Sequence, residues 1–344
     1  MNAFEKGYVV VTDFVEANTG KDVSDALQKL VLDNPNRTIY FPDGEYILSK
    51  PLCTPANPVH SVMLELSNYA VLKASEDWSE EEAVVRLGAA EPWNNISTNG
   101  SNYGIRGGII DGSGVANGVS IDSGRETRIE GVSIKHTFVG IHIKHGANTN
   151  SSDADVINVN IVGNGKPGSV GVLVIGSDNS FTNMRIASVQ TGVLIARGGG
   201  NLLRNVHPLY IFEKELEGLF GESVGFDVRS GCHWFDICYS DQFATGFKLG
   251  KWATSNFNNC YCYWYTSKGD KQIGFEVEGQ LRSVIRACRI DLREDCKNKS
   301  YMTVEKPDGI GVVENPVLRC SRSDTKDYLD HLQGSVIDLD NFVE

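Results

Sequence analysis

Gly225-Phe226-Asp227-Val228, Gly246-Phe247-Lys248-Leu249 and Gly274-Phe275-Glu276-Val277 are three copies of one phrase: glycine, then apolar–any–apolar. Four earlier copies stand at Gly118-Val119-Ser120-Ile121, Gly140-Ile141-His142-Ile143, Gly171-Val172-Leu173-Val174 and Gly192-Val193-Leu194-Ile195. Successive glycines are 22, 31, 21, 33, 21 and 28 residues apart. Alternation over so short a run marks a strand with one face inside, so each copy predicts a strand whose middle residue points out. A second phrase follows most of these glycines after ten or eleven residues: apolar, two residues, apolar, one residue, apolar. It reads Ile129/Val132/Ile134, Phe181/Met184/Ile186, Phe235/Cys238/Ser240, Phe257/Cys260/Cys262 and Ile285/Cys288/Ile290. Val156/Val159/Ile161 fits with a longer lead-in, and Leu203/Val206 fits until Pro208, which is expected to break the third position.

Two short strands per repeat, held in phase and parted by Gly, Asn and Ser turns, describe one coil of a solenoid. A β-sandwich with regular turns would not keep the two phrases in phase. The expected fold is therefore all-β: a right-handed parallel β-helix with a short N-terminal helical cap. Coils should advance one strand spacing, about 4.8 Å, so that equivalent residues form rows. The glycines are read as corner residues, free to take tight or left-handed backbone. A helix is predicted over residues 22–33, with Ala26, Leu27, Leu30 and Val31 on its apolar face, covering an end of the solenoid. The chain reads as one domain, 1–344. Its parts are a cap and first coils (1–102), regular coils (103–292) and a charged, repeat-free C-terminal cap (293–344).

Lys and Arg total 32 against 44 Asp and Glu, a net charge of −12. Phosphate backbones require a basic footprint, so nucleic acid is not an expected partner. No run approaches the ~18 apolar residues of a membrane span, so no membrane partner is expected. The first residues carry no basic-then-apolar leader. A cytoplasmic protein is expected, or one carried in a phage particle. Without an export signal, the eight cysteines are expected as free thiols. Cys238, Cys260 and Cys288 share one inward position in three successive coils, which predicts a buried ladder of small apolar side chains. No metal or other cofactor is expected. Cys260-Tyr261-Cys262 is too short a motif, and His142 and His145 lack a third ligand.

Ala26-Leu27-Gln28 precedes Phe41-Pro42-Asp43-Gly44-Glu45-Tyr46, and Gly107-Gly108-Ile109-Ile110-Asp111-Gly112 follows later. These strings resemble the start and an inner coil of the pectate-lyase-like superfamily, in its glycosyl-hydrolase and phage-tailspike branch. The family's usual Gly-Asp-Gly before the helix is replaced by Asn18-Thr19-Gly20-Lys21-Asp22. With the repeats, the resemblance covers roughly residues 10–292. It implies a β-helix that binds or cleaves carbohydrate, commonly as a parallel homotrimer. The resemblance does not reach the catalytic strings of polygalacturonases: the nearest are Lys144-His145-Gly146 and Gly131-Val132-Ser133-Ile134-Lys135. The acidic calcium cluster of pectate lyases and the Asp-Pro-His-Glu of mannuronan epimerases are likewise missing. The inulin fructotransferase and difructose-anhydride hydrolase type remains: trimeric β-helices with carboxylates near subunit interfaces.

Chemistry would sit on the outward rows. The first phrase gives Ser120, His142, Leu173, Leu194, Asp227, Lys248 and Glu276. The second gives Ser133, Asn160, Arg185, His207, Tyr239, Tyr261 and Arg289, with Asp241, Tyr263 and Asp291 one step beyond and Trp264 and Tyr265 adjacent. Glycoside cleavage needs one carboxylic acid to protonate the leaving oxygen and a second carboxylate as base or nucleophile. The candidates are Asp227, Asp241, Glu276 and Asp291, although Lys248 between two of them also suits a plain surface charge ladder. Sugars present apolar faces and polar rims, so His207, Tyr239, Tyr261, Tyr263 and Arg289 are expected to hold an oligo- or polysaccharide. The expected function is cleavage or transfer of glycosidic bonds, with fructans or difructose anhydrides among the substrates. The alternative is a non-catalytic, tailspike-type β-helix that binds a carbohydrate receptor. Outward Leu173 and Leu194 predict an apolar patch that something covers, which suits a homotrimer.

Overall fold

The computed structural model describes residues 7–79, 82–91, 104–144, 152–306 and 309–320. They fall into two compact units, residues 1–164 with 175–180 and residues 165–174 with 181–344. Both units are built from the same coil. In the first, Leu52–Pro55, Ala83–Glu91, Asn117–Ile121 and Val139–Ile143 stack in parallel along one face. Arg37–Phe41, Val62–Leu66, Gly104–Arg106 and Arg128–Glu130 stack along another. In the second unit Thr191–Arg197, Val224–Gly231, Thr245–Ala253, Lys271–Gln280 and Asn298–Lys306 form the long-strand ladder. Short pairs such as Trp234–Asp236 with Tyr239–Asp241, and Asn256–Asn258 with Tyr261–Tyr263, form the other face. This is the right-handed parallel β-helix that the two phrases predict. Coiling continues past residue 292: Val312–Glu314 and Val317–Cys320 pair with the preceding coil. The repeat is hidden there because Tyr301 stands where Gly274 stands one coil earlier. No helix among the described residues is long and apolar enough to cross a membrane.

The repeated glycines serve a different purpose from the one expected. None of the seven has a positive φ; six of them are close-approach positions. A Cβ on Gly118 would lie 2.6 Å from Ile134 Cγ2, on Gly171 2.3 Å from Ile186 Cγ2, and on Gly274 2.7 Å from Ile290 Cδ1. On Gly192, Gly225 and Gly246 it would meet Pro208, Ser240 and Cys262 in the same way. The last inward residue of the second phrase therefore packs against the bare backbone of the first. This is why the two phrases keep phase. Pro208 is accordingly not a break: it is buried within the strand Leu202–Leu209, in the third inward position.

The left-handed corner lies inside the second phrase instead, at the residue before its middle apolar position. Gly131 and Asn158 occupy it in the first unit, and Asn183, Asn205, Ile237, Asn259, Ala287 and Asn315 in the second, all with φ between 47° and 64°. Glycine and asparagine tolerate this region, whereas a β-branched residue is strained there. Ile237, at φ 54° and half exposed, gains little burial in return. Ile237→Asn should stabilise the protein by about 1 kcal/mol, read as a raised denaturation midpoint; an unchanged or lowered midpoint contradicts the corner assignment.

Core packing repeats from coil to coil. Phe226, Phe247 and Phe275 stack at 4.8 and 5.0 Å between centroids, and Phe235 stacks on Phe257 at 4.5 Å. The two columns meet edge to face, and each such contact adds about 0.5–1.5 kcal/mol beyond burial. Cys238, Cys260 and Cys288 are buried free thiols, each donating to a carbonyl one coil back, of Leu203, Phe235 and Phe257. Burial holds the thiols of Cys260 and Cys262 well above the ordinary value. Without denaturant, a maleimide should label exposed Cys232 and leave these four buried thiols untouched. Prompt labelling of the ladder would contradict its burial.

The helix runs Ser24–Asp33, with Leu27, Leu30 and Val31 buried; Ala26 is exposed rather than on the packed face. Asp22, in the segment that departs from Gly-Asp-Gly, organises its start. The carboxylate accepts from the Ser24 and Ser49 amides and from the Ser49 hydroxyl. Burial opposes its ionisation, but these hydrogen bonds win and bring the pKa to about 2.

Candidate active site

The four candidate carboxylates belong to two different faces of the second unit. Asp227, Lys248 and Glu276 are register partners on the long-strand face. Asp241, Tyr263 and Asp291 are partners on the short-strand face, beside the row Tyr239, Tyr261 and Arg289.

On the short-strand face most side chains are paired with one another, although His207 Nε2 and one oxygen of Asp241 are buried without a hydrogen-bond partner. His207 stacks on Tyr239 at 4.1 Å and Tyr239 on Tyr261 at 4.9 Å, nearly parallel. Arg289 lies over Tyr261 at 5.2 Å. Tyr261 donates to Asp291 at 2.7 Å, and Arg289 donates to both oxygens of Asp291 at 2.8 and 2.6 Å. Tyr239 donates to Asp241 at 3.3 Å, and His207 Nε2 stands 3.7 Å from the same carboxylate. Ring faces that a sugar would use are covered by neighbouring rings, and Asp291 is held by three donors. Trp264 is no platform either: it is buried and donates to the Phe243 carbonyl at 2.7 Å, leaving Tyr265 exposed beside it.

The long-strand face is open. A cleft of about 330 Å³ is lined by Asp227, Arg229, Lys248, Gly250, Lys251, Trp252 and Glu278. Trp252 is 59% exposed, with Lys251 and Arg282 each 5.3 Å from its ring. Arg229 Nε stands 3.3 Å from Asp227, and Lys248 Nζ 2.9 Å from Glu278. Glu276 accepts from Thr245 at 2.8 Å and from Lys271 at 3.2 Å. Burial raises the Asp227 carboxyl above its ordinary value, against the pull of Arg229 and Lys248. Burial also works against ionised Glu276, but Thr245, Lys271 and Lys248 outweigh it and hold that carboxyl below its ordinary value. Two carboxyls in one row are thus displaced in opposite directions; Asp227 lines the cleft, and Glu276 lies beside it, turned to Thr245 and Lys271.

Trp252, Arg229, Glu278, Thr245 and Lys271 are additions to the sequence reading. Glu278 was within reach of it, two residues beyond outward Glu276. Trp252 was not, because the ladder register shifts between Val228 and Ser230 and alternation fails there. On the first unit, His142 sits beside a ring in which Arg86 and Lys144 each contact both Glu82 and Asp122. Burial and Lys144 push the His142 pKa down to about 4, while His145 lies outside the described residues. Among the described residues no three His, Cys, Asp or Glu side chains converge as a metal site would require.

Residues 8–219 match the family model described as rhamnogalacturonase A/epimerase, pectate lyase-like. The chain belongs to that family. The match ends before Asp227, so the cleft lies outside the part that carries it. No curated protein is similar enough in sequence to serve as a relative. Among solved structures, this family member is similar to the endo-xylogalacturonan hydrolase of Aspergillus tubingensis (TM-score 0.64, 14% identity, 91% of this chain and 93% of that one). It is also similar to the tailspike protein of Escherichia coli bacteriophage HK620 in complex with a pentasaccharide (0.60, 11%, 94% and 64%). A third is the catalytic unit of an α-1,3-glucanase from Streptomyces thermodiastaticus (0.54, 16%, 91% and 63%). The chain thus spans under two thirds of the tailspike and glucanase chains. At these identities the likeness concerns the fold.

Proposed function

We propose that this family member is a carbohydrate-active enzyme that hydrolyses glycosidic bonds on the long-strand face, with Asp227, which lines the cleft, as general acid and Glu276, in the same outward row beside the cleft, as general base. The observation that carries the reading is the open cleft in which Asp227 lies with exposed Trp252, Arg229, Lys251 and Glu278; the opposite displacement of the Asp227 and Glu276 carboxyls in one outward row supports it. Their strands are two spacings apart, about 9.6 Å. That spacing is close to the about 6.5–9.5 Å between carboxyls that leaves room for a water on the far face of the sugar, the inverting arrangement. Exposed Trp252 offers the apolar face of a sugar a partner, and Arg229, Lys251 and Glu278 offer donors and an acceptor to its rim. That the similar structures include two polysaccharide-cleaving enzymes and a tailspike holding a pentasaccharide supports the substrate class.

The test is incubation with a panel of oligo- and polysaccharides, fructans included, scored for new reducing ends, unsaturated products and cyclic dimers. The pH profile of kcat/KM should be bell-shaped with an acidic optimum. Its acid limb reports Glu276 taking up a proton below its ordinary 4.5, and its alkaline limb reports Asp227 losing one above its ordinary 3.8. A profile that keeps rising through neutrality contradicts the assignment. A second reading, a binding module without turnover, is favoured by one observation: the Lys248 strand runs between the two carboxylates. Clean binding with no product across the panel would select it. The reading includes a homotrimer covering half-buried Leu173 and Leu194, checked by sedimentation at micromolar concentration.

A further inference from the structure

One cation links the cleft to a loop. Lys271 Nζ lies 3.2 Å from Glu276 Oε2 and 3.3 Å from the carbonyl oxygen of Gly221. Gly221 sits near the end of the 211–222 connection, which leads into the strand Val224–Gly231 carrying Asp227. An aromatic cluster seats this connection. Phe212 and Phe220 stack at 5.2 Å, and Tyr210 donates to the Leu216 carbonyl at 2.6 Å. Lys268 pairs with Glu217 at 2.5 Å and lies over the Phe212 ring. Gly269 admits Phe220: a Cβ there would stand 2.0 Å from the ring.

The charged and polar groups facing Glu276 can be compared one by one. Lys271 and Glu278 share its strand, Thr245 and Lys248 come from one neighbouring strand and Thr303 from the other, and Asp227 lies one strand beyond Lys248. Lys248 directs its ammonium to Glu278 at 2.9 Å, so the ammonium in direct contact with Glu276 is that of Lys271. An ammonium has several donors on a flexible stem and needs fixed acceptors to hold one geometry. The Gly221 carbonyl supplies the second acceptor, and it does so only while the loop is seated.

We infer that Lys271 is a positioning residue that ties the Glu276 carboxylate to the seated 211–222 loop, so that the base is correctly aimed only when that loop is down. This rests on the assignment of Glu276 as base, but its test does not need a substrate. Glutamate carboxyls are labelled with carbon-13, Glu276 is assigned by its loss in Glu276→Gln, and its titration is followed in wild type, Lys271→Met and Lys271→Arg. Amide exchange over residues 211–222 is measured in the same proteins. In Lys271→Met the Glu276 midpoint should move to higher pH and the loop amides should exchange faster; Lys271→Arg should restore both. Where a glycan is turned over, kcat at the acid edge should fall about two- to fivefold, the range of half-exposed ion pairs, with KM unchanged. An unmoved midpoint overturns the proposal whatever the turnover does. A moved midpoint with unaltered loop exchange overturns the coupling. Wild-type turnover in Glu276→Gln defeats the catalytic reading alone.

Discussion

Asp227→Asn and Glu276→Gln should each lower turnover of a cleaved glycan by about 10²–10⁴-fold, the usual cost of losing a general acid or base. Neither amide can exchange a proton as the carboxyl does, while shape and volume are kept. Melting temperature should stay near wild type. Asp227 is largely buried, but burial already disfavours its charge and its paired cation, Arg229, is mostly exposed, so a neutral amide there costs little. Glu276 pairs with Lys271 at a partly solvated surface, where such pairs contribute little to stability. Asp241→Asn and Asp291→Asn supply the contrast. Asp291 accepts from Tyr261 and Arg289, and Asp241 from Tyr239. Removing either charge should therefore lower the melting temperature and leave kcat nearly unchanged. Unaltered turnover in Asp227→Asn and Glu276→Gln, with a large loss in Asp241→Asn or Asp291→Asn, would move the site to the aromatic face.

Gly246→Ala should destabilise the protein by about 3 kcal/mol, the upper end of overpacking costs. The new methyl would stand 2.2 Å from Cys262 Sγ and 2.9 Å from the Gly274 carbonyl oxygen. The thiol is fully buried, and side chains in a close-packed core rotate only by displacing their neighbours. The backbone carbonyl can shift only by distorting the ladder. Cys262→Ala removes the nearer atom and leaves its Cβ 3.4 Å away, an ordinary contact. The double variant Gly246→Ala/Cys262→Ala should therefore be more stable than the two single effects added together by at least about 1 kcal/mol, in the range expected for touching residues. Additive effects would mean that the glycine is required by the carbonyl alone, and that the thiol does not fix the phase of the two strands.

The coil was legible from the sequence because burial in a solenoid is written locally. Every strand has one inward face, so alternation survives in three-residue runs such as Phe226-Asp227-Val228, and the spacing repeats because every coil solves the same packing problem. That determined the architecture, the outward rows and the buried cysteines. The reason for the glycines was not legible: a glycine required by a positive φ and one required by close approach read alike, and only the Cys262 and Ile290 side chains packed against Gly246 and Gly274 separate them. The coil at 298–320 was hidden because Tyr301 stands in the glycine position, and the phrase cannot be read without its glycine. Among the site residues, register alone placed Asp227 with Glu276 and Asp241 with Asp291. Which carboxylate faces an open cleft depended on features without local signature. One was a β-bulge that turns Trp252 outward. Another was the stacking that covers the Tyr239 and Tyr261 faces. The third was a loop carbonyl that meets Lys271 across 50 residues. Hydrophobic periodicity reports which side of a strand is dry, whereas desolvation and charge pairing at a carboxyl depend on everything the fold brings near it, and these the tertiary structure alone decided.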